Sequence, residues 1–157
     1  MDLKELRIIK RLTQQEAASL VGMSRRGYQQ LEYRNNEQSR SYRYAHKIIE
    51  NYNLIDEEHG TISLRDIETV CKDVFDGTTI EYAYLFGSYS RGEATETSDV
   101  DLIFYSQDVK GIEYFGIVEK LRQKLHKKVD LLRIQTLFDN RELLLDIMRD
   151  GIKIYAK

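Results

Sequence analysis

The chain has 157 residues, of which 32% are charged and 41% hydrophobic, and its formal net charge is −2. This balance is typical of a globular protein, and it excludes a largely disordered or fibrous chain. No apolar run approaches the roughly 18 residues of a membrane span, the N-terminus lacks a signal-peptide core, and one cysteine cannot form an internal disulfide, so we expect a cytoplasmic protein without a membrane partner.

The charge is unevenly distributed along the chain. Residues 1–53 hold ten Lys and Arg against six Asp and Glu, whereas residues 54–157 hold fourteen against twenty. A basic first third and an acidic remainder predict two modules with different partners. We therefore predict a DNA-binding domain at residues 1–53, a linker at 54–63, and a catalytic domain at 64–157. The linker is polar and contains no proline, which favours flexibility.

The first module reads as a bundle of short helices. Thr13 and Glu16 form a capping box that opens a helix ending at Gly22. Ser24 caps a second helix to about residue 33, so the two helices have the spacing of a helix-turn-helix. Ser41 is predicted to cap a further helix, to about residue 53, that closes an all-α domain.

The pattern of this module resembles the phage-repressor-type helix-turn-helix family. In such units the second helix enters the DNA major groove with its N-terminal residues first. The resemblance implies base reading by Arg25, Arg26 and Gln29, and contacts to the sugar-phosphate backbone by Gln14 and Gln15. Operator DNA is then the partner, and a homodimer would cover two half-sites. The alternative is a helical bundle whose arginines are merely solvated.

The second module alternates between helical and strand patterns. Strands are predicted at residues 79–86, 99–105, 128–133 and 152–155. Helices are predicted from residue 64 to 75, from 111 to 126, and from Asp139. The residues of the middle helix that we expect to face inward are Ile112, Phe115, Val118, Leu121 and Leu125. The predicted fold class is α+β with two domains, the second being a small mixed sheet covered by helices.

The most informative stretch of the chain is residues 86–102. Gly87 permits a sharp turn and close approach of a ligand, and the following amides and the Ser88 hydroxyl suit a phosphate. Asp99 and Asp101 are two residues apart in a predicted strand, so their side chains share a face. Neighbouring carboxylates repel each other unless a cation such as Mg²⁺ lies between them. A phosphate site beside a carboxylate pair indicates phosphoryl or nucleotidyl transfer.

Gly-Ser, then Arg-Gly, five further residues and Ser-Asp-Val-Asp together resemble the signature of minimal nucleotidyltransferases of the DNA polymerase beta superfamily. The resemblance implies a third acid on a neighbouring strand, for which Asp130 is the candidate. It implies two Mg²⁺ ions bound by the catalytic acids Asp99, Asp101 and Asp130. It also implies ATP as substrate, with its phosphates held by Gly87, Ser88, Arg91 and Ser98.

This layout further resembles the nucleotidyltransferase antitoxins that accompany toxins of the HEPN ribonuclease family. That resemblance implies AMP transfer from ATP to a tyrosine of a HEPN-type toxin, which silences it. Two alternatives stay open: a DNA-binding regulator whose catalytic site is inactive, and a nucleotidyltransferase acting on a small molecule such as an antibiotic. The intact set of three acids counts against the first alternative, and the short second module counts against the second.

Overall fold

A computed structural model describes residues 1–157 as two compact units, Met1–Leu54 and Ile55–Lys157. None of the helices is long and apolar enough to cross a membrane. The first unit is entirely helical. Its helices are α1 (Leu3–Ile9), α2 (Gln14–Val21), α3 (Arg25–Arg34) and α4 (Arg40–Glu50).

Local capping defines α2 and α3 as the sequence predicts. The Thr13 hydroxyl accepts a hydrogen bond from the Glu16 N–H at 3.2 Å, and the Glu16 carboxylate accepts one from the Thr13 N–H at 2.7 Å. Gly22 ends α2 in the left-handed region with φ 76°, a conformation that a Cβ would penalise. The Ser24 hydroxyl then accepts from the Gly27 N–H at the start of α3.

The closing helix begins and ends earlier than predicted. Ser39, not Ser41, caps α4, because its hydroxyl accepts from the Tyr42 N–H at 3.1 Å, and the helix stops at Glu50 rather than near residue 53. Apolar side chains buried between the four helices form one core, consisting of Leu3, Leu6, Leu12, Ala17, Ala18, Val21, Tyr28, Tyr42, Ala45 and Ile49.

The second unit is a mixed sheet with helices, which confirms the predicted fold class. Its elements are α5 (Leu64–Phe75), β1 (Ile80–Phe86), α6 (Gly87–Ser90), β2 (Val100–Ser106), α7 (Gly111–Leu125), β3 (Val129–Arg133), a 3-10 helix (Ile134–Leu137), α8 (Arg141–Asp150) and β4 (Ile152–Ala156). The strand order is β3-β2-β1-β4. β1 is antiparallel to both β2 and β4, whereas β2 and β3 are parallel. Because α5 packs on β4, α7 on β3, and the two helices on each other, they cover the same face of the sheet.

The inward face of α7 differs from the prediction. Ile112 and Phe115 are 92% and 71% exposed, whereas Ile117, Leu121 and Leu125 are buried. The buried residues recur every four positions and form one stripe along the helix. At 3.6 residues per turn, Phe115 lies about 200° and Ile112 about 140° around the axis from Ile117. The prediction is confirmed for Leu121 and Leu125, and Val118 packs against the core, but it is wrong for Ile112 and Phe115, because the helix is apolar on both sides.

Two boundaries of the second unit also differ from the prediction. Asn140, rather than Asp139, caps α8, since its side chain accepts from the Leu143 N–H at 3.0 Å. Residues 55–63 belong to the second unit instead of forming a free linker. Ile62 is buried in the core of that unit, and the Tyr89 hydroxyl accepts from its N–H at 3.4 Å.

The two sides of α7 should respond differently to truncation. Leu121→Ala leaves a cavity in the core and should lower the free energy of unfolding by about 2–5 kcal/mol. Ile112→Ala, on the exposed side of the same helix, should change it by no more than about 0.5 kcal/mol. Urea unfolding of both variants measures the difference, and equal losses would contradict the burial of Leu121 and the exposure of Ile112.

Candidate active site

The junction between β1 and α6 is shaped by one glycine. Gly87 follows the last residue of β1 with φ 74°, and no side chain caps the N-terminus of α6. A Cβ on Gly87 would overlap Oδ2 of Asp101. Any larger residue would therefore combine an unfavourable backbone conformation with a collision against this carboxylate. The chain needs glycine here so that the main chain and the carboxylate can approach each other.

Strand pairing places two of the predicted acids side by side. In the antiparallel pair β1–β2, Asp101 lies opposite Phe86, and in the parallel pair β2–β3 it lies opposite Asp130. Neighbouring strands are about 4.8 Å apart, so paired residues project from the same face of the sheet as close neighbours. Asp99 lies just before β2, which begins at Val100, and its side chain is exposed.

These carboxylates interact electrostatically. Burial and, to a lesser extent, the nearby charges of Asp130 and Asp99 together raise the pKa of Asp101 to about 6, while the charge of Arg91 acts to lower this pKa. The site therefore concentrates negative charge beside the α6 N-terminus. A bound cation would relieve this repulsion.

The donor chemistry fits a hard divalent cation. No three His, Cys, Asp or Glu side chains among residues 1–157 are arranged as a closed metal site, so the three predicted acids do not form a cage. Mg²⁺ does not need one, because it usually binds through one or two carboxylates together with water and substrate phosphates. Asp101 and Asp130 provide such a pair, whereas Asp99 is placed on the preceding loop.

The predicted phosphate-binding side chains differ in their burial and in their hydrogen bonds. Ser88 is half-buried in α6, directly after Gly87. The Arg91 Nε donates to the Glu93 carboxylate at 2.9 Å, which holds this guanidinium near the site. The Ser98 hydroxyl accepts from the Thr95 N–H at 2.8 Å, so it is engaged within its own loop.

Sequence reasoning missed two side chains around the site. The Ser90 hydroxyl donates to the Gly87 carbonyl at 2.8 Å and closes α6. Lys127 is only 1% exposed although lysine is rarely buried. A signal was present in the sequence, because Lys127 continues the two-residue alternation of the buried Val129 and Leu131.

In the first unit, the residues predicted to contact DNA are on the surface of α2 and α3. Arg25 and Arg26 are exposed in the first turn of α3, and neither has a hydrogen bond or ion pair within the chain. Gln15 is exposed on α2. These three side chains are therefore free to meet a ligand.

The two remaining residues contact each other. Gln29 donates through Nε2 to the Oε1 of Gln14 at 2.8 Å, and Gln14 donates to the Glu32 carboxylate at 2.9 Å. The Arg7 Nε donates to the other oxygen of Glu32 at 2.6 Å. This network couples α1, α2 and α3 and orients both glutamines.

Comparison with known proteins gives a match for most of the second unit. Residues 67–157 match the family model described as polymerase beta, nucleotidyltransferase. Two proteins of Methanocaldococcus jannaschii, each with the provisional name protein adenylyltransferase, are similar in sequence. One is 39% identical over 72 residues, covering 44% of this chain and 69% of that protein. The other is 35% identical over 63 residues, covering 39% of this chain and 72% of that protein.

A solved structure described as a toxin-antitoxin with AMP-PNP is also similar. It is 23% identical, covers 60% of this chain and 75% of its own, and superposes with a TM-score of 0.49. Because this TM-score is below 0.5, the family assignment rests on the sequence matches alone.

The raised pKa of Asp101 predicts a dependence of stability on pH. An unfolded Asp has a pKa of about 3.9, so between about pH 4 and pH 6 the folded chain binds the proton more readily. The resulting stabilisation is complete below about pH 4 and is lost as the pH rises through about 6. In metal-free buffer, Asp101→Asn should therefore exceed wild type in free energy of unfolding at pH 7.5 and match it near pH 4.

Urea unfolding across this pH range provides the measurement, with the exposed Asp108→Asn as control. A constant offset between wild type and Asp101→Asn at every pH would contradict the assignment.

Proposed function

The chain belongs to the polymerase beta nucleotidyltransferase family, and we propose that its second unit transfers AMP from ATP to a hydroxyl of a partner protein. The observation that carries the proposal is the pairing of Asp101 with Asp130 beside Gly87. It combines a carboxylate pair with open main-chain donors, which suits a nucleotide polyphosphate and its metal.

Each group has a distinct task in this proposal. The amides after Gly87 and the Ser88 hydroxyl hold the β- and γ-phosphates, while Arg91 offsets phosphate charge. Asp101 and Asp130, with Asp99 from the preceding loop, would hold Mg²⁺ together with substrate phosphates, and the bound ion would stabilise the charge that develops on the phosphates.

The acceptor hydroxyl attacks the α-phosphorus, the bond to the bridging oxygen breaks, and pyrophosphate leaves. Asp130 is exposed beside Asp101, so it is accessible to an incoming hydroxyl and can accept its proton.

A protein acceptor is favoured by the open site of the second unit and by its relatives. The second unit consists of one four-stranded sheet with its helices, and Asp130 is exposed at its site, so the site is open to an acceptor carried on another protein. A protein brings its own hydroxyl to an open site, and both archaeal relatives carry the name protein adenylyltransferase. The motif's resemblance to antitoxins makes a tyrosine of a HEPN-type toxin the proposed acceptor. The chain would then act as its antitoxin.

For the first unit we propose binding to operator DNA. Its support is the excess of basic residues, the two unpaired arginines at the start of α3, and the glutamine network that orients Gln14 and Gln29. Arginine and glutamine are the side chains best suited to bidentate contacts with guanine and adenine. A homodimer would place two such helices on successive half-sites.

The catalytic proposal predicts that Asp101→Asn abolishes AMP transfer. The protein is incubated with α-labelled ATP and Mg²⁺, either with a HEPN-type toxin or with an aminoglycoside antibiotic, and label on each acceptor is measured. The rate should fall by about 100-fold or more, since a site disturbed by even 1 Å loses that much. Asp108→Asn, an exposed acid beyond the end of β2, should behave as wild type. Label reaching a small-molecule acceptor but no protein would support the antibiotic-type alternative.

The DNA proposal predicts promoter binding that weakens steeply as salt rises, because counterions are released from the phosphates. Arg25→Ala should weaken binding by about 1–3 kcal/mol and relax specificity at one base pair. Arg122→Ala, an exposed arginine on α7, is the matched control. Gel-shift titrations at two salt concentrations measure both effects. If the wild-type protein shifts no promoter fragment at low salt, the DNA proposal is wrong and the first unit is a bundle that interacts with proteins.

A further inference from the structure

Lys127 is the most unusual buried group in the second unit. It lies between the end of α7 and the start of β3 and is 1% exposed. An ammonium loses several kcal/mol of hydration on burial unless hydrogen bonds and opposite charges replace it. Neither the fold's apolar core nor the predicted chemistry requires a cation at this position.

Main-chain carbonyls provide the compensation. The Lys127 Nζ donates to the His59 carbonyl at 3.0 Å and, at a shorter distance, to the Glu96 carbonyl. The carboxylates of Asp56, Glu96 and Asp99 are near enough to favour the charged form, although burial lowers the pKa of the ammonium. The ammonium thus joins two segments that are far apart in sequence.

The loop that contains Glu96 and the strand that follows Lys127 both lead to the active site. Glu96 belongs to the loop between α6 and β2, and three residues later this loop presents Asp99. The Glu96 side chain also accepts from the Gly60 N–H at 3.4 Å. The loop is therefore attached to residues 59–60 both directly, by this hydrogen bond, and through the Lys127 ammonium. On the other side, β3 starts two residues after Lys127 and presents Asp130.

We propose that Lys127 is a positioning residue for nucleotidyl transfer, because its buried ammonium fixes the loop that carries Asp99 beside the strand that carries Asp130. The inference rests on the proposed function, which assigns both acids to the metal-dependent site. It goes beyond that function by naming what sets the distance between them. Because its ammonium is buried and donates to main-chain carbonyls, Lys127 acts through the main chain of the loop.

The test compares full-length wild type with Lys127→Met, Lys127→Gln and Lys128→Met. Lys128 is the matched control, since its side chain is 61% exposed and reaches only Glu57 at 4.0 Å. Binding of Mn²⁺ alone is followed by the loss of the free-ion EPR signal. AMP transfer is then measured as separate kcat and KM values for ATP, at a temperature where circular dichroism shows every variant to be folded.

Both Lys127 variants should weaken Mn²⁺ binding by about 10-fold or more, as loss of a group that orients metal ligands does. Their kcat should fall while KM for ATP stays near that of wild type, because the phosphate-binding turn is intact. Lys128→Met should match wild type in all three quantities.

Lower melting temperatures with unchanged Mn²⁺ affinity and kcat would overturn the inference and leave Lys127 as a purely structural residue. If Lys127→Met does not fold, Lys127→Gln, which keeps an amide donor, decides the same comparison. A wild type that neither binds Mn²⁺ nor transfers AMP would overturn the proposed function itself, whatever the variants do.

Discussion

The close approach of the Asp101 carboxylate to the main chain of Gly87 is the constraint on which the second unit depends. It requires a residue without a Cβ, a left-handed turn directly after β1, and a strand register that brings Asp101 opposite Phe86. The same register continues into β3 and sets Asp130 beside Asp101. One contact therefore links the backbone turn, the pairing of three strands and the electrostatics of the site.

The carboxylates concentrate negative charge at the site. This charge lowers the stability of the fold but favours the binding of a cation. A carboxylate with a raised pKa destabilises the folded chain at neutral pH, and binding sites commonly contain groups of this kind. The buried Lys127 contributes a positive charge behind the same loop, where it is held by carbonyl groups rather than paired directly with a catalytic acid. Both the raised pKa of Asp101 and the burial of Lys127 cost stability, and both accompany a defined arrangement of the acids.

Features governed by short-range chemistry were predictable from the sequence. The capping box at Thr13 and the turn at Gly22 depend on residues within a few positions. Asp130 was instead identified through the resemblance of the motif, because its pairing with Asp101 joins residues that are distant in sequence. The inward face of α7 was predictable at Leu121 and Leu125 but not at its N-terminal end, because apolar residues occur on both sides of that helix and only the tertiary partner selects one. Lys127 was missed because a lysine is expected on the surface, although its alternation with the buried Val129 and Leu131 distinguishes it from Lys128. Residues 55–63 were misassigned because a polar segment can still insert one isoleucine into a core.

The sheet of the second unit is completed by its most distant pairing. β4 adds to β1, so that Tyr82 lies opposite Ala156, and the Lys157 N–H donates to the Glu81 carbonyl at 2.8 Å. Contacts of such high sequence separation form late, because the intervening chain must first be ordered. During synthesis the helical first unit, whose contacts are local, can fold as its residues emerge, whereas β1 keeps an open edge until β4 has been translated. A basic helical domain can therefore be folded, still attached to the ribosome through the nascent chain, before synthesis of the enzyme that follows it is complete.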